Sequence, residues 1–234
     1  FAACGENAES DAKVAYVLTE TGDTYSQGLG SSFKTAFEKA GGTVIQESFP
    51  KNTSDFSAYI QKAIDKKANV IFAPNSITVA SNLIKQAADV GIEIPILAGD
   101  TWESSVILDA AKGTGLDVYC STFFDENDST TEYAAKFVSG FKAWLESDNA
   151  LKTENGGNTI VAAVSALGFD AYNVAYAAIE AAAAEKGEAL TSVDVAKALW
   201  ALDYKEAVTG EIKFDKNGDA IKSSAYIKKA KADG

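Results

Sequence analysis

Histidine, arginine and methionine are absent from this 234-residue sequence, so all of its 21 basic residues are lysine. Histidine is the commonest general base and a frequent zinc ligand, so its absence excludes Ser-His-Asp and Cys-His catalysis and histidine-based zinc sites. Without arginine, no guanidinium can bind a phosphate or carboxylate through two parallel hydrogen bonds. The sequence therefore favours binding over catalysis, and we predict no enzymatic activity.

Cysteine is scarce as well, and Cys4 and Cys120 are the only two. Two cysteines are too few for a disulfide framework, and they lack the CxxC spacing that is typical of a metal site. We predict that the chain binds no metal and no cofactor. Cys120 lies in the apolar run from Leu116 to Phe124, where a buried, inert thiol is expected. Cys4 follows Phe1-Ala2-Ala3, which is similar to the end of a bacterial lipoprotein signal and predicts lipidation; the alternative is the end of an ordinary helix.

Positive charge is also in deficit, because 33 acidic residues give a net charge of -12. Nucleic acid and anionic lipid headgroups bind clustered Lys and Arg, so we predict neither as a partner.

Long uninterrupted apolar runs are missing, which excludes a transmembrane helix. A lipid on Cys4 would be the chain's attachment to a membrane. Hydrophobic residues nevertheless make up 47% of the sequence, enough for a folded protein with a substantial core.

From Lys13 to Trp102, apolar runs alternate with segments whose apolar residues recur at helical spacing. The runs that predict strands are Val14–Leu18, Thr43–Phe49, Asn69–Ala73 and one that ends at Ala98. Such alternation is typical of βα units around a parallel sheet, so an α/β fold with a Rossmann-like sheet is predicted. The carboxyl ends of these strands should meet at one edge of the sheet, where ligands bind in open α/β folds.

Three loops at that predicted edge carry polar or aromatic residues: Tyr25, Asn75, Ser76, Asp100 and Trp102. One anion, two aromatic rings and neutral hydrogen-bonding groups suit a small ligand with a cationic amine and an apolar part. Asp100 would hold the ammonium, while Tyr25 and Trp102 would cover the rest. The alternative is that Asp100 caps a helix starting near Glu103 and that Trp102 packs on the surface.

Two weaker motifs do not predict further sites. Gly28 and Gly30 form half of a GxGxxG fingerprint, but the third position is Phe33 and the glycines lie inside a predicted helix, so no dinucleotide is expected. The segment Asp215–Asp219 has the wrong oxygen spacing for a calcium loop and predicts a turn. Asn217-Gly218, within it, is a strong hairpin signal.

The second half of the chain is predicted to be helical. After a strand near Tyr119, the pattern predicts helices over Glu132–Leu145, Val161–Glu185 and Ser192–Leu202, with Ser192 as the N-cap of the last.

Seven segments resemble the extracytoplasmic substrate-binding proteins of branched-chain amino acid ABC transporters. They are VAYVLTETGDTYSQGL, AFEKAGGTVI, SDFSAYIQKA, VIFAPNS, IKQAADVGIEIPILAGDTWESS, ALGFDAYNVAYAAIEAA and TGEIKFDKNGDAIKSSAYI. The resemblance implies a two-lobe, type I periplasmic-binding fold that closes on an amino acid or related amine and presents it to a membrane permease. It implies an extracytoplasmic location, in the periplasm or on the outer face of the cell membrane.

The same resemblance implies roles for individual residues. Tyr25 matches a ligand-contacting tyrosine of the second lobe, and Asp100 matches the acidic residue that binds the ligand's α-ammonium. Ser76 falls in a loop where family members place a ligand-facing, often aromatic side chain. Trp102 matches a frequent tryptophan near the pocket.

The resemblance also implies the domain organisation. Residues 1–12 would be a leader or helix tail, 13–120 with 226–234 would form the ligand-binding lobe two, and 121–225 would be the helical part of lobe one with the C-terminal hairpin. Because the first part of lobe one is not matched, we expect a fragment, a natural truncation or one piece of a split protein. Its helices should then expose an apolar face that docks on lobe two, docks on a second copy of the chain in a homodimer, or stays mobile.

The predicted function is that of a solute-binding protein for a branched-chain or other apolar amino acid, with hinges near residues 118–121 and 224–227. Three alternatives stay open at this point. The chain could be a sensory ligand-binding module of the same fold, a truncated dimerisation module that has lost binding, or an enzyme on a Rossmann-like sheet.

Overall fold

The structure is a computed structural model that describes residues 14–128, 131–222 and 225–230. Within these ranges the chain forms two compact units. One contains the described residues up to Ser121 together with those from Ile227 onward, and the other is Thr122–Tyr226. Cys4, with its predicted lipid attachment, lies outside the described residues. The predicted hinge function of the two connections stays a prediction.

The described residues form eight strands and eight α-helices. The strands are β1 (Val14–Glu20), β2 (Thr43–Phe49), β3 (Val70–Phe72), β4 (Ile96–Ala98), β5 (Val118–Thr122), β6 (Lys213–Phe214), β7 (Ala220–Ile221) and β8 (Tyr226–Lys229). The helices are α1 (Thr24–Lys39), α2 (Ser57–Asp65), α3 (Ile77–Val90), α4 (Ser105–Ala111), α5 (Glu132–Glu146), α6 (Asn149–Glu154), α7 (Ala163–Lys186) and α8 (Ser192–Ala201).

The first unit is built on a six-stranded sheet in the order β2-β1-β3-β4-β5-β8. The pairs β1–β2, β1–β3, β3–β4 and β4–β5 are all parallel. Parallel pairing brings the carboxyl ends of β1, β3 and β4 to one edge, so the loops that follow these strands meet there. The predicted α/β fold with a Rossmann-like parallel sheet is confirmed.

Helices α1 and α3 pack on this sheet through small and apolar side chains. The buried residues of α3 are Val79, Ala80, Leu83, Ile84 and Ala87, which repeat at helical spacing. In α1 the contact depends on Gly30, because a Cβ there would lie 2.6 Å from Thr19 Cγ2 of β1. Gly28 and Gly30 therefore belong to a helix, as predicted, and Gly30 serves close helix–strand packing.

Cys120 of β5 packs against the core but is only partly buried, so the predicted burial of this thiol is wrong in degree. Its surroundings still favour the neutral form, since burial of much of the side chain and the nearby Glu103 carboxylate raise the pKa of Cys120 to about 11. The thiolate is the nucleophile, so a thiol with this pKa is inert near neutral pH.

The second unit consists mostly of helices. Its β6–β7 hairpin is antiparallel and turns at Gly218, as the Asn-Gly signal predicts. The predicted N-cap Ser192 is wrong, because the Thr191 hydroxyl accepts the hydrogen bond from the Asp194 amide while the Asp194 carboxylate accepts one from the Thr191 amide. This reciprocal capping box places the N-cap at Thr191, one residue earlier than predicted, while α8 itself begins at Ser192. None of the described helices is both long and apolar enough to cross a membrane.

One face of α7 exposes apolar side chains. They are Val164 and Tyr172, at 73% and 69% exposure, with Phe169, Tyr176 and Ile179. Asp170 is the one charged residue between Ala163 and Ile179, and it is buried on the opposite face. An exposed apolar surface of this kind is typical of an interaction site, so we expect this face of α7 to be covered in solution.

We expect the purified chain to self-associate through the exposed apolar face of α7. Sedimentation velocity at increasing concentration should show dimers or larger species, because contact between copies removes the exposed face of α7 from water. Tyr172→Glu should shift the chain toward monomer by adding a charge to that face. Val90→Glu, at an exposed apolar position of α3 in the first unit, is the matched control and should leave association unchanged. A chain that stays monomeric at every concentration would contradict this expectation.

Candidate functional site

Tyr25 and Asp100 come together at the carboxyl edge of the sheet. Asp23 caps α1, since its carboxylate accepts a hydrogen bond from the Tyr25 amide at 3.1 Å, and this fixes Tyr25 in the first turn. Asp100 begins a short 3₁₀ turn directly after β4. The Tyr25 hydroxyl, on a side chain that is 40% exposed, donates a hydrogen bond to Asp100 Oδ1. Two residues that sequence reasoning assigned to one ligand therefore contact each other.

Asp100 does not cap a helix, so the alternative role suggested by the sequence is wrong. The N-cap of α4 is Ser104, whose hydroxyl accepts a hydrogen bond from the Val106 amide at 3.2 Å. Within the described part of the chain, Tyr25 is the one hydrogen-bond partner of the Asp100 side chain, and Oδ2 accepts no hydrogen bond. Asp100, a partly exposed residue, thus presents a carboxylate at the edge of the sheet with one oxygen free of described hydrogen bonds.

The Tyr25 hydroxyl stays protonated near neutral pH and can donate a hydrogen bond. Burial raises its pKa well above the ordinary value for tyrosine, and the hydrogen bond to the Asp100 carboxylate raises it further. The neighbouring polar groups of Thr101 lower the pKa of Tyr25 but do not reverse the shift. Because the phenol stays protonated, its proton points to Asp100 and the hydrogen bond is charge-assisted.

Asn75 connects the three loops at this edge from the inside. Its side chain is buried, Oδ1 accepts from Ser26 Oγ at 2.7 Å, and Nδ2 donates to the Leu18 carbonyl at 3.0 Å. Its backbone carbonyl accepts from Trp102 Nε1 at 2.9 Å and from Thr101 Oγ1 at 3.1 Å. These bonds hold the loops after β1, β3 and β4 in one arrangement.

The five predicted site residues therefore divide into two groups. Tyr25 and Asp100 are in contact, and Ser76 is exposed at the start of α3, where its hydroxyl makes no capping bond. Asn75 and Trp102, the latter 2% exposed, are buried, and their polar groups bond to other loop residues. Their side chains fix the loops from inside.

Charge at this edge is unevenly balanced. Glu103 of the same loop forms an ion pair with Lys228 of β8, and both side chains are largely buried. No lysine in the described part of the chain forms an ion pair with Asp100. Among the described residues, Asp100 is therefore a carboxylate left available to a further cation. The described residues contain no cluster of three or more His, Cys, Asp or Glu side chains that could hold a metal ion.

Two contributors to this site were missed by the sequence prediction. Gly99 provides space for the Tyr25 hydroxyl, and Ser26 connects α1 to Asn75. In the sequence, the one feature that could have pointed to a role for Gly99 in the site is its position between a predicted buried strand and Asp100. Nothing local to Ser26 indicates a bond to a residue 49 positions away.

Comparison with known proteins identifies the family. A family model described as periplasmic binding protein matches residues 3–234. No curated protein matches the chain. Among solved structures, the leucine-binding protein LivK from Thermotoga maritima is 27% identical with a TM-score of 0.77, and the match covers 92% of this chain and 57% of LivK.

Two further structures extend the comparison. An ABC transporter substrate-binding protein from Desulfitobacterium hafniense, in complex with Leu, is 24% identical with a TM-score of 0.65, covering 93% of this chain and 58% of that one. A solute-binding protein from R. palustris, in complex with benzoate, is 20% identical with a TM-score of 0.73, covering 94% and 56%. This chain thus spans less than two thirds of the length of these relatives.

These matches confirm the type I periplasmic-binding fold and the resemblance to substrate-binding proteins of branched-chain amino acid ABC transporters. They extend over the parallel-sheet unit and the helical unit alike, since the family model matches nearly every residue. The chain belongs to the periplasmic binding protein family.

Proposed function

We propose that this chain binds an amino acid, branched-chain or otherwise apolar, as a solute-binding protein of an ABC transporter. The observation that carries the proposal is Asp100, a partly exposed carboxylate with one oxygen free of described hydrogen bonds. It lies where ligands of open α/β sheets bind, beside the exposed ring of Tyr25. Membership of a family of binding proteins supports equilibrium binding without chemistry.

The charge of Asp100 favours a ligand with an ammonium group. A carboxylate oxygen and an N–H of an ammonium form a short, charge-assisted hydrogen bond. Lysine already neutralises the neighbouring Glu103, so the ligand's cation would pair with Asp100. An anion without an amine, such as the benzoate bound by the R. palustris relative, would be repelled by Asp100.

Two exposed side chains would contact the rest of the ligand. The Tyr25 ring offers an apolar surface for an aliphatic or aromatic side chain, and the Ser76 hydroxyl offers a hydrogen bond to a polar group. Asn75 and Trp102 would act by positioning, because their bonds hold the loops that carry Tyr25 and Asp100.

An extracytoplasmic location and a membrane permease as partner form part of the same proposal. The named relatives are leucine-binding or ABC transporter solute-binding proteins, which supports both. The lipid anchor at Cys4 and a homodimer stay predictions.

A thermal-shift panel of the common amino acids, with benzoate as the amine-free ligand, tests the proposal. A ligand at 100 times its Kd adds about 2.7 kcal/mol of stability, which for a chain of this size raises Tm by roughly 5–10 °C. We expect such shifts from apolar amino acids and none from aspartate, glutamate or benzoate. A chain that melts cooperatively but responds to no amino acid would refute the proposed function.

A further inference from the structure

Gly99 is a glycine because of space, not because of backbone conformation. Its φ of -85° is ordinary for any residue. A Cβ at Gly99 would lie 2.7 Å from the Tyr25 hydroxyl oxygen and 2.9 Å from Leu29 Cδ1. Carbon atoms do not approach neighbours so closely, so any side chain here would displace the Tyr25 hydroxyl. The missing side chain of Gly99 therefore creates the space in which Tyr25 reaches Asp100.

The contact between Tyr25 and Asp100 changes what the carboxylate can bind. Oδ1 accepts the hydrogen bond from the phenol, which leaves Oδ2 for a ligand. An ammonium is a compact charge that can bind through a single carboxylate oxygen. A guanidinium instead binds both oxygens through two parallel N–H···O bonds, so on Asp100 it would have to share Oδ1 with the hydrogen bond from the phenol.

We propose that Gly99 and Tyr25 make this site selective for ammonium over guanidinium ligands. The inference rests on the proposed function, in which Asp100 binds the cation of the ligand. In this role Tyr25 is a positioning residue, because it acts by occupying Oδ1 of Asp100. Gly99 contributes by leaving room for the phenol, so a change at either residue weakens the competition of the phenol for the same oxygen.

The test uses two ligands that differ in the cation. Calorimetric Kd values are measured for leucine and for its N-amidino derivative, in which a guanidinium replaces the ammonium. The proteins are the unmodified chain, Tyr25→Phe and Gly99→Ala. We expect the unmodified chain to prefer leucine, and Tyr25→Phe to reduce that preference by about ten-fold, the effect of one charge-assisted hydrogen bond. Gly99→Ala should change the preference in the same direction.

The comparison is internally controlled. The different sizes of the two ligands cancel when the preference of each variant is divided by that of the unmodified chain. Tyr119→Phe is the matched control, because the Tyr119 hydroxyl donates to Asp117 at 3.3 Å in the same unit. That variant should leave the preference unchanged. Tyr25→Phe keeps the ring and adds no atom, so it tests the proposal even where Gly99→Ala fails to fold.

The outcomes separate this inference from the proposed function. An unchanged preference in Tyr25→Phe, or an equal weakening of both ligands, would overturn the selectivity role. Leucine binding that is still lost in Asp100→Asn would at the same time preserve the proposed function. If the unmodified chain binds neither leucine nor any other amino acid, both proposals fail.

Discussion

Asp100→Asn should weaken amino acid binding by between about thirty-fold and a few thousand-fold, which corresponds to the roughly 2–5 kcal/mol lost when one partner of a desolvated charge pair is removed. The amide keeps the size of the side chain and an oxygen that can accept from Tyr25, but it removes the negative charge. The ligand's ammonium would then be desolvated without a counter-charge. Titration calorimetry with the tightest apolar amino acid measures the effect.

The matched control for this variant is Asp89→Asn. Asp89 is an exposed aspartate near the carboxyl end of α3. It lies away from the loops that follow β1, β3 and β4, so its loss of charge should change affinity little. Equal affinities for the unmodified chain and Asp100→Asn would remove Asp100 from the binding site.

Asp170→Ala should lower the free energy of unfolding of the second unit by about 3 kcal/mol or more. The Asp170 carboxylate is 1% exposed and accepts from the Val208 amide at 2.7 Å and the Thr209 amide at 2.8 Å. The Thr209 hydroxyl also donates to it, at 2.7 Å. Alanine would leave two backbone N–H groups and a hydroxyl without this acceptor, and would release the segment before β6 from α7.

Native-state hydrogen exchange at the Val208 and Thr209 amides measures this effect directly, because it reports local opening of these groups. Urea unfolding followed by far-UV circular dichroism gives the global value. Asp170→Asn should be milder, since it retains one accepting oxygen. Asp109→Ala, at an exposed position of α4, is the control. Unchanged exchange at both amides in Asp170→Ala would show that the carboxylate contributes nothing to the stability of the unit.

Regular elements with strong periodicity were predictable from the sequence. The strand Thr43–Phe49 has the predicted bounds, because its alternating pattern and the flanking Gly and Pro residues define it locally. Helix α6 was not predicted, since Asn149–Glu154 is short and its apolar residues form no helical repeat. The N-cap of α8 was misplaced by one residue, although Thr191 with Asp194 three residues later is a readable capping-box signal.

The candidate site was predictable in position but not in detail. Parallel strand order alone brings the loops of Tyr25, Ser76 and Asp100 together, which is why they could be identified from strand ends. Which side chains face outward depends on hydrogen bonds between distant loops, such as those of Asn75 and Trp102, and these leave no local sequence pattern. The role of Gly99 likewise depends on a side chain from another helix.

A calorimetric cycle with two ligands and two proteins tests the central claim, that Asp100 binds the ammonium of an amino acid. The ligands are leucine and 4-methylpentanoate, which has the same carbon skeleton without the amine, and the proteins are the unmodified chain and Asp100→Asn. We predict that the substitution weakens leucine alone, which gives a coupling of about 2–5 kcal/mol between the ammonium and the carboxylate. Equal effects on both ligands, or no effect on either, would contradict the claim.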